Sequence, residues 1–121
     1  MLINLSNHPS SKWNSEQTEA AQRYGEIVDL PFPAVAPDGD EAYLSALVED
    51  YAQRVAGMAN GEPVTVHLMG EMTFTCAMVV RLREMGIECV AATTERIVEE
   101  NEAGQKTTTF SFVQFRRYLS K

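Results

Sequence analysis

PVTVHLMGEMTFTCAMVVRLREMGIECVAAT, residues 63–93, decides the fold. PVTVHLM (63–69) is rich in β-branched residues and nearly free of charge, the composition of a strand buried on both faces of a sheet. Gly70 closes it. TFTCAMVVRLREM (73–85) reads as a helix capped by Thr73 and stopped by Gly86. IECVAAT (87–93) is a second buried strand. Two buried strands joined by one helix run in the same direction, so the segment is a parallel βαβ unit.

The same alternation extends upstream. MLINL (1–5) is a strand and SNHPSSKW (6–13) a loop, after which Asn14 and Gln17 form a capping box for the helix EQTEAAQRY (16–24). Gly25 sits at its C-terminal cap, and EIVDL (26–30) is the next strand. PFPAVAPDGD (31–40) carries Pro31, Pro33 and Pro37, so it is a stiff extended connection. Asp38 or Asp40 then caps a helix over 41–58. Its residues Tyr43, Leu44, Leu47, Val48, Tyr51, Val55 and Met58 fall on one stripe, and Asn60 and Gly61 end it.

Downstream, TERIVEE (94–100) and KTTTFSFVQF (106–115) alternate apolar and polar residues around NEAGQ (101–105), as a β-hairpin with one solvated face does. EENE (99–102) reads as the solvated tip, and Arg116, Arg117 and Lys121 as a small basic end. The expected fold is α/β: a single Rossmann-like domain over residues 1–121, with a doubly wound, mostly parallel sheet of four strands that a C-terminal β-hairpin extends.

The 121 residues are 45% hydrophobic and carry a net charge of −7. Such a charge argues against a protein that grips duplex nucleic acid through its phosphates. Cys76 and Cys89 lie in apolar segments without metal or redox spacing and read as buried reduced thiols. No signal peptide and no run of about 20 apolar residues is visible, so a cytoplasmic protein with no membrane association is expected. No cofactor fingerprint and no metal-ligand cluster appears.

In an open parallel sheet, ligands bind beyond the carboxyl ends of the strands, which singles out three loops. After the first strand stand Asn7 and His8; His8 is either a proton-transfer group or a surface side chain of a turn. Trp13, in the same loop, either stacks on a base or staples the first helix to the body. Residues 69–75 hold Gly70, where a backbone can approach a ligand, then Glu71 and Met72, then Thr73 and Thr75 at a helix N-terminus suited to an oxyanion, or else form a plain strand-to-helix turn in which Glu71 completes the helix-end electrostatics. The third loop carries Thr93, Thr94 and Arg96; either the guanidinium fork of Arg96 matches phosphate, or the threonines are ordinary strand residues and Arg96 pairs with Glu99 or Glu100. His67, inside an apolar strand, reads as a hydrogen-bonded core residue, and the methionines as core fillers.

LINLSNHPSS, YGEIVDLPFP, VHLMGEMTFTCAMVVRL, GIECVAATTERIVEE and FSFVQFRRY together resemble a group of small CRISPR-associated proteins linked to type III systems. The shared features are an N-H pair after the first strand, a G-[DE]-x-x-x-T pattern after the third, and ATT-x-R running into a hairpin that ends in F-R-x-Y. The resemblance covers nearly the whole chain. It implies a Rossmann-like domain that binds a cyclic oligoadenylate second messenger, cyclic tetra-adenylate foremost, and a metal-independent ring nuclease or a non-catalytic sponge or sensor.

Carried over by position, it makes Asn7, His8, Gly70, Glu71, Met72, Thr73, Thr93, Thr94 and Arg96 ligand-facing, with His8, Thr94 and Arg96 as the catalytic candidates. A ring with two-fold symmetry suits a symmetric homodimer. The chain departs from the nuclease members in having SNHPSSKWN where N-H-x-[LT]-T-x-x-Q is usual, which weighs on cleavage more than on binding. A flavodoxin-like or structural interaction domain is the remaining alternative.

Overall fold

In the computed structural model, which describes residues 1–119, Leu2–Ser6 form β1 and all five of its residues are buried. Lys121 of the basic end lies outside the described residues. Burial on both faces is what an inner parallel strand requires, and β1 pairs in parallel with β2 (Ile27–Asp29) on one side and β3 (Thr65–Met69) on the other. β3 pairs in parallel with β4 (Glu88–Glu100), and β4 pairs antiparallel with β5 (Lys106–Arg117). The order is β2-β1-β3-β4-β5, a mostly parallel α/β sheet with an antiparallel C-terminal hairpin.

Alternate residues of β1 divide the core in two. Leu2 packs with Ala21 of α1 (Ser15–Gln22) and with Val90, beside Trp13, Tyr24 and Phe115. Ile3 and Leu5 belong to the opposite cluster, with Val48, Ala52 and Val55 of α2 (Glu41–Ala59) and Phe74, Met78 and Leu82 of α3 (Met72–Glu84). Helices therefore cover both faces, unequally. The eight residues of α1 span only about 12 Å at 1.5 Å per residue. The upper part of its face, towards the carboxyl ends of the strands, is left for the candidate site.

The caps follow the local chemistry. The Asn14 side chain accepts from Gln17 N–H at 2.8 Å. Asp40, rather than Asp38, accepts from Tyr43 N–H at 2.8 Å, and Asn60 ends α2 in the left-handed region. At α3 the cap is Glu71, not Thr73, and the helix begins at Met72. The Glu71 carboxylate accepts from the backbone N–H groups of Thr73 and Phe74 and from the Thr73 hydroxyl.

Three further expectations are corrected. IECVAAT and TERIVEE are one continuous strand, so the sheet has five strands; no Gly, Pro or Asn interrupts residues 87–100, and the only break is a bulge where Val113 is skipped between Thr93–Gln114 and Thr94–Phe112. Glu99 and Glu100 consequently sit in β4 rather than at the hairpin tip. Cys76 is exposed, because Met72, Cys76 and Val80 fall four residues apart on the outer stripe of α3. Cys89 is buried as expected, and burial pushes its thiol up to about 12. The methionines are mostly core, as expected: Met78 is buried and Met1, Met58 and Met85 pack against the same cluster, whereas Met69 and Met72 are exposed.

Gly70 serves packing directly. A Cβ there would come within 2.3 Å of the Phe32 ring, which rests on the glycine and meets Phe74 edge-on at 5.2 Å. The stiff proline connection is thereby seated against the end of β3. Gly70→Ala is expected to lower stability by about 1–3 kcal/mol through overpacking, measured by urea unfolding; a variant as stable as the parent would contradict this packing role.

Candidate functional site

Asn4 is a buried amide in an apolar strand, and each of its groups is used. Its Nδ2 donates to the His8 carbonyl at 2.8 Å and to the Asp29 carboxylate at 2.9 Å. Both are acceptors, so the amide orientation is fixed and Oδ1 faces the other way. There Oδ1 accepts from Ser6 Oγ at 2.8 Å and lies 2.9 Å from His67 Nδ1. His67 therefore carries its proton on Nδ1, and Nε2 is a bare lone pair.

This network also builds the loop after β1. Ser6 Oγ accepts from His8 N–H at 3.2 Å, while Asp29 accepts from Ser10 Oγ at 3.0 Å and from Ser10 N–H at 3.2 Å. With its backbone held from β1 and β2, the loop turns through a short 3-10 segment, Ser10–Lys12, into α1. His8 and Lys12 are thereby fixed at the rim of a trough of about 640 Å³. Its floor is the α1 face of the sheet, with Ser6, His67, Met69 and Ala92; Trp13 walls one side, and Phe110 and Phe112 wall the other. The volume is within the roughly 300–1,000 Å³ typical of small-molecule sites.

Of the residues singled out in the sequence, the structure brings Asn7, His8, Gly70 and Thr94 together on this trough. Glu71, Met72, Thr73, Thr93 and Arg96, also expected to face the ligand, stand apart from its lining. Glu71 and Thr73 are engaged with each other at the α3 cap, so the helix N–H groups expected to hold an anion already hold a carboxylate. Those contacts, the Thr73 hydroxyl foremost, lower the Glu71 pKa. Met72 points to solvent. Thr93 Oγ1 bonds the Gln114 backbone at the bulge. Arg96 pairs with Phe110 and shares its ribbon face, one step beyond the lining.

Lys12, Gln17 and His67 line the trough without having been singled out as ligand groups. Lys12 supplies the cation expected of Arg96; its place in the same loop as His8 was the available signal. His67 was read as core, and it is 2% exposed, yet its ring is also trough floor. Trp13 is neither solely a staple nor solely a stacking residue. It meets His67 edge-on at 5.5 Å and Phe115 at 6.1 Å, and so forms both core and wall. His67 Nε2 and Trp13 Nε1 are buried without a hydrogen-bond partner among the described residues.

Among those residues no group of three or more His, Cys, Asp or Glu side chains is arranged to hold a metal ion, and no helix is long and apolar enough to cross a membrane. The chain matches, over residues 1–116, the family described as the uncharacterized protein MJ1673 family, and belongs to it. No curated protein and no solved structure matches the chain.

Burial lowers the His67 pKa from 6.5 to about 4, and the nearby charge of His8 adds to the effect. The unfolded chain therefore binds this proton more readily than the folded one. His67's contribution to stability is full above pH 6.5 and is lost as pH falls through about 4, a total of about 3 kcal/mol. Comparing urea unfolding of the parent and His67→Gln from pH 7.5 to pH 4 should show this extra acid sensitivity in the parent alone; parallel pH profiles would contradict it.

Proposed function

We propose that this member of the MJ1673 family binds a cyclic oligoadenylate, most simply cyclic tetra-adenylate, as a component of type III CRISPR antiviral signalling in the cytoplasm. The observation that carries the reading is the trough at the carboxyl ends of β1 and β3, where the strand order reverses and ligands of open α/β sheets bind. Its walls suit one nucleotide class. Trp13 and Phe110 offer flat faces to bases, while Lys12, Asn7 and His8 offer polar groups at the rim to ribose and phosphate. An acidic protein binds such a ligand through a few local contacts, whereas a duplex would need an extended basic surface.

A ring of several nucleotides exceeds one trough, which supports a symmetric homodimer with two troughs facing one ligand. Phe110 is 68% exposed and Arg96 lies beside it, so this part of the hairpin can reach ligand beyond the trough. The position of His8 favours turnover as well as binding. In that step a ribose 2′-oxygen bonds to the adjacent phosphorus, the bond from phosphorus to the 5′-oxygen breaks, and the 2′-hydroxyl proton passes to His8. The 5′-oxygen takes a proton from water, with Lys12 and Thr94 facing the developing charge. The products are a linear chain with a 2′,3′-cyclic phosphate and a free 5′-hydroxyl.

The strand order is also that of flavodoxin-like folds. Against a flavin phosphate in the loop after β1 stands Asp29, whose carboxylate already occupies the Ser10 N–H and hydroxyl.

Incubation of the purified protein with labelled cyclic tetra-adenylate, followed by separation of ring from linear product, tests the reading. Retention of the ring is expected, with Lys12→Ala weakening it about tenfold, as loss of one charge-assisted contact does. His8→Ala should lower turnover more than affinity, and chelator should leave turnover unchanged. Binding without turnover would leave a sponge or sensor; failure to bind any cyclic oligoadenylate would refute the proposal.

A further inference from the structure

We propose that the Nε2 lone pair of His67 selects the ligand base, accepting a hydrogen bond from the exocyclic amino group of an adenine that displaces the Trp13 indole. The inference rests on the messenger reading above and adds which chemical edge the protein recognises. Asn4 fixes the geometry. Because its Nδ2 is committed to the His8 carbonyl and Asp29, Oδ1 can only accept, and His67 must donate from Nδ1. Nε2 is then an acceptor with no donor among the described residues, in a side chain that is 2% exposed and lines the trough. A buried acceptor left unpaired is costly, so a donor brought by a ligand is favoured there.

The surroundings decide what brings that donor. Aromatic rings from Trp13, Phe110 and Phe112 flank the floor, which suits a flat base, while the groups suited to phosphate and ribose stand at the rim. Adenine presents an N–H donor at its six-position. Hypoxanthine presents a carbonyl oxygen there, which sets two lone pairs against each other. Displacing Trp13 breaks no hydrogen bond, since Nε1 has no partner among the described residues; the side chain is held by ring contacts with His67 and Phe115 and by packing beside Leu2 and Val90. The chain has one tryptophan, so its fluorescence reports this residue alone.

The test titrates the full chain with cyclic tetra-adenylate and with cyclic tetra-inosinate, following tryptophan emission and a separate filter-retention signal. The adenylate ring is expected to change Trp13 emission and to bind at least about tenfold more tightly than the inosinate ring. His67→Phe keeps a flat ring but removes the lone pair, and should reduce the gap to less than about threefold. Independently of that variant's folding, the ¹⁵N signal of His67 Nε2 in the parent should move towards a hydrogen-bonded value when the adenylate ring is added. Equal affinity for the two rings, or an unmoved Nε2 signal in the bound protein, would overturn the inference and leave messenger binding intact. Binding of neither ring would overturn both.

Discussion

Asn4 is a primary amide inside β1, between leucine and isoleucine side chains that make the core, and a buried amide is tolerated only when its donors and acceptor are all met. Meeting them joins three separate parts of the chain. Its NH₂ group draws in the His8 carbonyl of the loop and the Asp29 carboxylate at the end of β2, and its oxygen takes the His67 ring of β3. Strand register makes this possible, because Asn4 pairs with Asp29 on one side and His67 on the other. The loop conformation, the rim of the trough and the tautomer of its floor histidine all depend on this one side chain.

The same electrostatic economy explains where an anion is and is not accommodated. Helix N-termini attract negative charge, but at α3 the protein supplies its own carboxylate, Glu71, and after β1 it supplies Asp29 to Ser10. At both places a carboxylate of the protein already takes N–H groups that a phosphate would use. Lys12, carried to the rim by the 3-10 turn, makes no ion pair among the described residues and is the cation that faces the trough. The proposed nucleotide site is therefore built from side chains and rings rather than from a helix dipole.

Much of the fold was legible because local chemistry and global pattern agree. Six of the seven apolar residues chosen between Tyr43 and Met58 pack in the core on the inner stripe of α2, whereas Tyr43 turns to the proline connection and accepts from Ala36 N–H; Asn14, Asp40 and Asn60 cap helices where their side chains predict. Legibility failed where two periods fit equally well. The apolar residues of α3 fall all round the helix, so its exposed stripe of Met72, Cys76 and Val80 was indistinguishable from its core stripe. Residues 87–100 contain two strand-like patterns with nothing between them, and only pairing with β5 shows that they are one strand. At the site, Asn7, His8, Gly70 and Thr94 follow from topology. The trough role of His67 and Lys12 does not, because it depends on how short α1 is and on which way the Asn4 amide faces.

The most direct test of messenger binding is a crystal structure of the protein with cyclic tetra-adenylate. The ring is expected over the carboxyl ends of β1 and β3, with a base between the Trp13 and Phe110 walls of the trough and phosphate near Lys12. A ring bound elsewhere, such as the cavity lined by Arg83, Cys89 and Tyr118, would contradict it.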